Sequence, residues 1–172
     1  MFMEIRQAEI NDAVMILNYL NIVGGQTDNL LFGAEGLEIT VSEEETIIAA
    51  IQQSLKSCML IAIDEDKVVG IGNILENRRK RISHHVRLAI SVDKRYWGKG
   101  VSQSLMNGLI SFAKEKHVEI ISLEVFEDNI RARKLYEKYG FEEIGYFKNY
   151  AKINGEYKHA VLMNLYLNKD EN

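Results

Sequence analysis

A glycine-rich junction in the middle of the chain constrains the fold more than any other feature. An alternating strand pattern runs over His85–Val92, a basic turn follows, and a long amphipathic helix is predicted over Gly98–Lys116. The apolar stripe of that helix recurs at helical spacing and comprises Val101, Leu105, Leu109, Phe112 and Ala113. A strand that leads through a short turn into a helix is a unit of α/β architecture. The junction therefore predicts a sheet with a helix packed on its face.

Further strands and helices are predicted on both sides of this junction. The strands are Met3–Ala8, Cys58–Ile63, Lys67–Leu75, Ile120–Phe126, Phe141–Tyr150 and Tyr157–Leu167. The helices run from Asn11 to Ile22, from a capping box formed by Ser42 and Glu45 to Lys56, and from Asn129 to Tyr139. Antiparallel hairpins alternate with strand–helix–strand units, which predicts one α/β (α+β) domain over residues 1–172 with helices on the sheet faces.

Composition excludes several classes of function. The net charge of −4 gives no general basis for nucleic-acid binding, and the basic run Arg78–Arg81 is typical of a solvated loop. No apolar run reaches the roughly 20 residues of a membrane span, and Glu4 and Arg6 argue against a signal peptide. The single cysteine, Cys58, favours a reducing compartment, so a cytoplasmic location is expected. No metal site is predicted.

The junction itself predicts an anion-binding site. The first amides of a helix lack intrahelical acceptors, and a glycine lets a phosphate approach them closely. Lys94, Arg95 and Lys99 add positive charge nearby. A dinucleotide-binding motif is excluded because Gln103 occupies the position of its third glycine, and the residues of a P-loop are missing too. A glycine turn that only begins a helix remains the alternative.

Two motifs together resemble the GNAT superfamily of N-acetyltransferases. Residues 95–100 read Arg-x-x-Gly-x-Gly, and residues 129–141 read Asn-x-x-Ala-x-x-Leu-Tyr-x-x-x-Gly-Phe. The resemblance extends over the whole chain and implies a mixed, mostly antiparallel sheet that is splayed between the strands ending at Val92 and Phe126. It also implies that acetyl-CoA binds in the split and donates its acetyl group to a primary amine of a small molecule or a protein N-terminus.

The resemblance carries over to individual residues. It implies a cofactor site made of Ile90, Ser91, Val92, Arg95, Trp97, Gly98, Lys99, Gly100, Val101, Ser102, Asn129, Arg131 and Tyr136. The backbone of Ile90–Val92 would hold the pantetheine arm, and Trp97–Ser102 would hold the diphosphate. Tyr136 would protonate the departing thiolate, although packing on an amphipathic helix is the alternative explanation of this aromatic side chain.

The base and the acceptor are less constrained. Many relatives place a glutamate on the strand before the glycine turn, but here that strand carries no carboxylate, so His85, a water chain or an acid of the N-terminal loop could serve. The predicted acceptor-binding residues are Asp28, Glu35, Glu38 and His159, of which the three acids favour a cationic amine. The family resemblance also suggests a homodimer. A domain that binds acetyl-CoA without catalysis is the competing function, because the strand carboxylate is missing.

Overall fold

The computed structural model describes residues 3–168, which form one seven-stranded sheet flanked by four helices. The strands are β1 (Glu4–Gln7), β2 (Cys58–Asp64), β3 (Lys67–Glu76), β4 (His85–Val92), β5 (Ile120–Phe126), β6 (Glu142–Ile153) and β7 (Glu156–Tyr166). The helices are α1 (Ala13–Gly24), α2 (Val41–Gln53), α3 (Val101–Glu115) and α4 (Ile130–Lys138). The strand order across the sheet is β1-β2-β3-β4-β5-β7-β6.

The sheet is splayed at its single parallel pair. All other neighbouring strands are antiparallel, whereas β4 and β5 run parallel and pair only where His85–Arg87 meets Ile120–Ser122. Beyond that point the two strands no longer pair with each other, although β4 stays paired with β3 as far as Val92 and β5 with β7 as far as Phe126. The expected mixed, mostly antiparallel, splayed sheet is therefore confirmed.

Helices cover both faces of the sheet. On one face, α3 buries Val101, Leu105 and Leu109 against the strands. This helix approaches β3 closely, since a Cβ atom at Gly70 would lie 2.9 Å from the Cγ1 atom of Val101. Helices α1 and α2 fill the opposite face with a second apolar cluster that includes Ile16 and Ile48. The prediction of helices on both faces is confirmed.

Three predicted helix starts differ from the structure. Helix α1 begins at Ala13 rather than Asn11, because Ile10–Asp12 form a 3-10 turn before it. The capping box of α2 is Thr40 with Glu43, not Ser42 with Glu45: the Glu43 amide donates to Thr40 Oγ1 (3.2 Å), and the Thr40 amide donates to Glu43 Oε2 (2.7 Å). This helix also ends earlier than predicted, at Gln53.

The start of α3 is also later than predicted. The helix begins at Val101 rather than Gly98, because Gly98 and Gly100 have φ values of +77° and +83°. These values lie in the left-handed region, which a right-handed helix does not use. The two glycines thus form a separate turn before the helix.

Candidate active site

A cleft of about 960 Å³ opens where β4 and β5 diverge. Its wall has two parts, which we name here. The turn half comprises Trp97, Gly98, Gly100, Val101 and Ser102 together with Asn129, Arg131, Lys134 and Tyr136 of the α4 region. The loop half comprises Thr27, Asn29, Leu30, Leu31, Phe32 and Leu37 together with Arg87, Glu124, Phe126 and Tyr150. The part of β4 that no longer pairs with β5 connects the two halves through Ala89, Ile90, Ser91 and Val92.

The turn half has the geometry of an anion site. No atom lies within 4 Å of where a Cβ atom would stand on Gly98 or Gly100, so open space adjoins both. Gly100 is the N-cap of α3 and offers no side-chain acceptor, so the first amides of the helix are uncapped and present its positive end. Arg131 and Lys134 line the same space. A phosphate or diphosphate fits these groups by charge and by shape.

A buried carboxylate fixes the turn that precedes these glycines. Asp93 is 1 % exposed and accepts hydrogen bonds from the backbone amide (2.9 Å) and the guanidinium of Arg95 (Nη2, 2.5 Å). The Arg95 contact is the largest of the causes that hold the pKa of Asp93 below its ordinary value. Gln26 joins the same group: its Nε2 donates to Asp93 (3.1 Å), and its Oε1 accepts from the Lys94 amide (2.8 Å). Residues of the turn and of the loop thus share one hydrogen-bond network.

Trp97 lies between the strand and α4. Its Nε1 donates to the Val92 carbonyl (2.9 Å), and the guanidinium carbon of Arg131 lies 4.6 Å from its ring centre. The Val92 carbonyl is therefore already bonded, and antiparallel alternation turns the Ser91 backbone toward β3, which leaves the backbone of Ile90 as the better candidate for a ligand along β4. The cation–π contact holds Arg131 above the glycine turn.

Tyr136 contributes a buried hydroxyl to the cleft. Asn129 caps α4 by accepting the Ala132 amide on Oδ1 (3.3 Å), and this places Tyr136 on the helix face that points inward. The side chain is 6 % exposed, and its ring packs 5.6 Å from that of Phe141. Burial raises the pKa of the Tyr136 hydroxyl above its ordinary value, so the group stays protonated at neutral pH. The Tyr136 side chain is therefore packed in the core and also lines the cleft.

Two predicted histidines lie outside the cleft wall. His85 is at the closed end of the β4–β5 pair, where its Nε2 lies 3.1 Å from Asn77 Nδ2. The Nδ1 atom of His159 accepts the Asn149 amide (2.9 Å), which stabilises the irregular stretch of β6 before Tyr150. The expectation that His85 reaches the reacting amine, or that His159 contacts it, does not fit these positions.

The three loop acids and two of the turn cations also do not line the cleft. Asp28, Glu35 and Glu38 are exposed on the loop, and Glu35 Oε1 accepts the Gly33 amide (2.8 Å) instead of facing inward. Arg95 is turned toward Asp93, and the Lys99 ammonium lies 4.9 Å from the ring centre of Tyr96. The inward side of the loop is mostly apolar, so the three loop acids give no support for a cationic acceptor.

Sequence reasoning missed the charged pair at the bottom of the loop half. Arg87 Nη2 lies 2.6 Å from Glu124 Oε2 across the splay and donates to the Tyr150 hydroxyl at 3.3 Å. Strand alternation carried a signal for it, because Val86 and Leu88 are buried on the α3 face and Arg87 must then point to the other face. The same alternation on β5 places Glu124 on the same face of the sheet as Arg87, across the splay.

Among residues 3–168, no group of three or more His, Cys, Asp or Glu side chains is arranged to hold a metal ion. No helix within the same range is long and apolar enough to cross a bilayer.

A sheet opened at a parallel strand pair, with an uncapped helix end at the mouth of the opening, is the arrangement that the sequence resemblance implies for an acetyl-CoA-binding fold. The model of the Acetyltransferase (GNAT) family matches residues 31–141. The chain belongs to this family, whose co-substrate is acetyl-CoA.

Individual proteins agree with this assignment. The chain is 42 % identical over 105 residues to the L-amino acid N-acetyltransferase AaaT of Escherichia coli (strain K12), covering 60 % of this chain and 65 % of that protein. It is 44 % identical over 79 residues to the [ribosomal protein bS18]-alanine N-acetyltransferase of Haemophilus influenzae, covering 45 % and 53 %. The chain thus spans between half and two thirds of these relatives. The crystal structure of a GNAT-family acetyltransferase from Streptococcus pneumoniae superimposes with a TM-score of 0.93 at 31 % identity, covering 96 % of this chain and 100 % of that one.

Proposed function

We propose that this protein transfers the acetyl group of acetyl-CoA to the primary amine of a small molecule or a protein N-terminus. The amine attacks the thioester directly while both substrates are bound. The observation that carries the proposal is one continuous cleft, which joins an anion-binding turn to a second, loop-walled space along the edge of β4 that β5 leaves open. A donor and an acceptor can therefore meet inside one cavity.

The turn half fits the coenzyme. The amides between Gly98 and Ser102 would hold the diphosphate, with Arg131 as the nearby cation. The edge of β4 that β5 leaves open would pair at Ile90 with an amide of the pantetheine arm, as an added strand does, and Ser91 would line the same stretch. Asn129 and Tyr136 would lie near the thioester. Arg95 would act indirectly in this arrangement, by fixing the turn through Asp93.

The chemistry requires three contributions from the chain. Acetyl-CoA supplies the activated acetyl thioester when bound. An alkyl ammonium with a pKa near 10.4 is neutral in only about one molecule in 2,500 at pH 7, so the site must remove a proton and orient the amine. A backbone N–H on the edge of β4 that faces away from β3 can stabilise the charge that develops on the carbonyl oxygen of the thioester. The protonated hydroxyl of Tyr136 can donate its proton to the departing sulfur.

The native fluorescence of the protein tests coenzyme binding. Trp97 is the only tryptophan of the chain and lines the turn half, so acetyl-CoA should change its emission in a saturable way. The Trp97→Phe variant should lose the signal, while calorimetry should still detect binding. If neither method detects acetyl-CoA at millimolar concentration, the proposed function is wrong.

A binding domain without catalysis is the second candidate function. It is favoured by the position of His85 outside the cleft wall. A panel of amines, scored by release of free coenzyme A thiol, separates the two candidates. Saturable binding without thiol release from any amine would support the binding domain.

The assembly and location of the protein are further parts of the proposal. Tyr146, Phe147 and Tyr157 on the β6–β7 hairpin are each at least half exposed, which supports a homodimer through this hairpin. Sedimentation of the wild type against a Phe147→Ser variant tests the dimer. The unpaired, buried Cys58 supports the cytoplasm as the site of action, which localisation of a tagged chain would test.

A further inference from the structure

We propose that Arg87, Glu124 and Tyr150 form a subsite for the head group of a free α-amino acid with an apolar side chain. This inference rests on the proposed function, and it selects among the amines that function allows. Arg87 would bind the substrate carboxylate, and Glu124 would bind its ammonium group. The Tyr150 hydroxyl would complete the carboxylate site.

The ion pair at the base of the loop half is open to a ligand. The Arg87 side chain is 58 % exposed and that of Glu124 is 26 % exposed, so both reach solvent in the cleft. Within residues 3–168, both contacts of Arg87 are made by Nη2, which leaves its other N–H groups free to bind a carboxylate. An ion pair with this exposure contributes little stability by itself, so it can rearrange around a ligand.

A zwitterion complements this pair better than a simple amine does. The carboxylate and ammonium of an α-amino acid are separated by one carbon, so they can lie antiparallel to the Arg87–Glu124 pair. Each of the four charges then keeps an opposite neighbour, and the planar guanidinium can bind the carboxylate through two N–H groups. A polyamine would instead bring positive charge against Arg87. A protein N-terminus would leave Arg87 without a carboxylate.

The rest of the loop half is suited to an apolar side chain. Leu31 and Leu37 are 66 % and 42 % exposed, yet both line the cleft together with Phe32 and Phe126. Arg87 and Glu124 are the charged residues of the loop half, so a small acceptor in this half would orient to them. Burial of an apolar substrate side chain against this wall would add affinity.

The position of Tyr150 is fixed by the strand irregularity of β6. The register of β6 against β7 shifts between Phe147 and Ala151, and His159 accepts the Asn149 amide within this stretch. The Tyr150 ring packs against Phe126 at 6.2 Å between centres. His159 is thus a positioning residue for the subsite rather than a direct contact.

The proton balance is consistent with this placement. The ammonium group loses one proton, with Glu124 as the nearest acceptor, and the neutral nitrogen then forms the C–N bond as the C–S bond breaks. The nitrogen loses a second proton when the amide forms. Of the two protons, one ends on the sulfur of coenzyme A through Tyr136, and one is released to solvent.

The first experiment compares three acceptors that share one side chain: L-leucine, L-leucinamide and 3-methylbutylamine. The amide has the lower amine pKa, near 7.7–8.0, so without a carboxylate subsite it should react fastest at pH 8. With the subsite, kcat/KM for L-leucine should exceed that of both analogues by about 100-fold, since two charged hydrogen bonds are lost. Equal or faster reaction of the analogues overturns the proposal.

The second experiment uses Arg87→Met, with Arg78→Met as the matched control on an exposed loop outside the cleft. Calorimetric titration of L-leucine into protein saturated with coenzyme A should show about 100-fold weaker binding for Arg87→Met and no change for Arg78→Met. The Trp97 response to acetyl-CoA should be the same in both variants. Unchanged affinity for L-leucine in Arg87→Met overturns the proposal.

Failure of the proposed function gives a distinct result. If Trp97 does not respond to acetyl-CoA and no amine accelerates thiol release, both proposals are overturned. If peptides with a free N-terminus are acetylated and free amino acids are not, only the subsite is overturned.

Discussion

Replacing Gly100 by alanine isolates the glycine turn from the rest of the fold. Gly100 has φ +83°, and its missing Cβ faces open space in the cleft. A non-glycine residue in this left-handed conformation costs about 1–2 kcal/mol. For a chain of 172 residues, this lowers the melting temperature by about 2–8 °C. Because typical stabilities are about 5–15 kcal/mol, the variant should remain folded.

The effect on the coenzyme should be larger than the effect on stability. The added methyl group would occupy the space through which a diphosphate approaches the first amides of α3. Loss of one or two charged hydrogen bonds, at about 1.5–3 kcal/mol each, weakens binding by at least about 10-fold and by more than 100-fold if both are lost. Titration of acetyl-CoA against the Trp97 emission measures this change directly.

The chain contains a matched control. Gly155, in the turn between β6 and β7, has φ +85° and likewise has open space where a Cβ would stand, but it does not line the cleft. Gly155→Ala should therefore lose the same stability and keep its affinity for acetyl-CoA. Equal affinities in the two variants would refute the assignment of the turn as the diphosphate site.

Three other perturbations have distinct expected outcomes. Tyr136→Phe should lower kcat about 100-fold, by loss of the buried acid, with acetyl-CoA affinity unchanged in fluorescence titration; an unaltered kcat would exclude the acid role. Asp93 has a folded-state pKa below its unfolded value, so its contribution to the free energy of unfolding is present above about pH 4 and is lost as pH falls through the folded pKa. In urea denaturation, Asp93→Asn should therefore lose less stability than the wild type on acidification. Equal losses would contradict the Asp93–Arg95 interaction. Gly24→Ala would place a Cβ 1.9 Å from the Gly33 carbonyl oxygen, so the loop must shift; steady-state kinetics should show a higher KM for the amine, and an unchanged amine KM would contradict the loop's role.

The sequence predicted the core strands more accurately than the helix starts. The bounds of β4 and β5 match the prediction because each has an apolar alternation that ends at a polar turn. The capping box of α2 was misplaced because Thr40 and Ser42 are each followed three residues later by a glutamate. Only the extended backbone of Thr40, which tertiary packing sets, distinguishes the two.

The candidate site also contains a part that the sequence could predict and a part that it could not. The glycine turn and Asn129 belong to contiguous motifs, so their places at the two helix starts could be predicted, although the positive φ of Gly98 and Gly100 moves the start of α3 to Val101. The acceptor side is built from segments distant in sequence, and the inward direction of each loop side chain depends on packing. Arg87 and Glu124 could have been found by alternation along their strands, but their proximity depends on the parallel pairing of β4 with β5.

The bridge made by Gln26 has a consequence for cooperativity. This one amide bonds both Asp93 and Lys94 of the turn, and the next residue, Thr27, already belongs to the loop half. A ligand that displaces Asp93 and Lys94 of the turn must therefore also displace Gln26, which begins the loop. We expect coenzyme and acceptor to alter each other's dissociation constants by the same factor, as thermodynamic linkage requires, and this mutual factor should approach one when Gln26 is replaced by alanine.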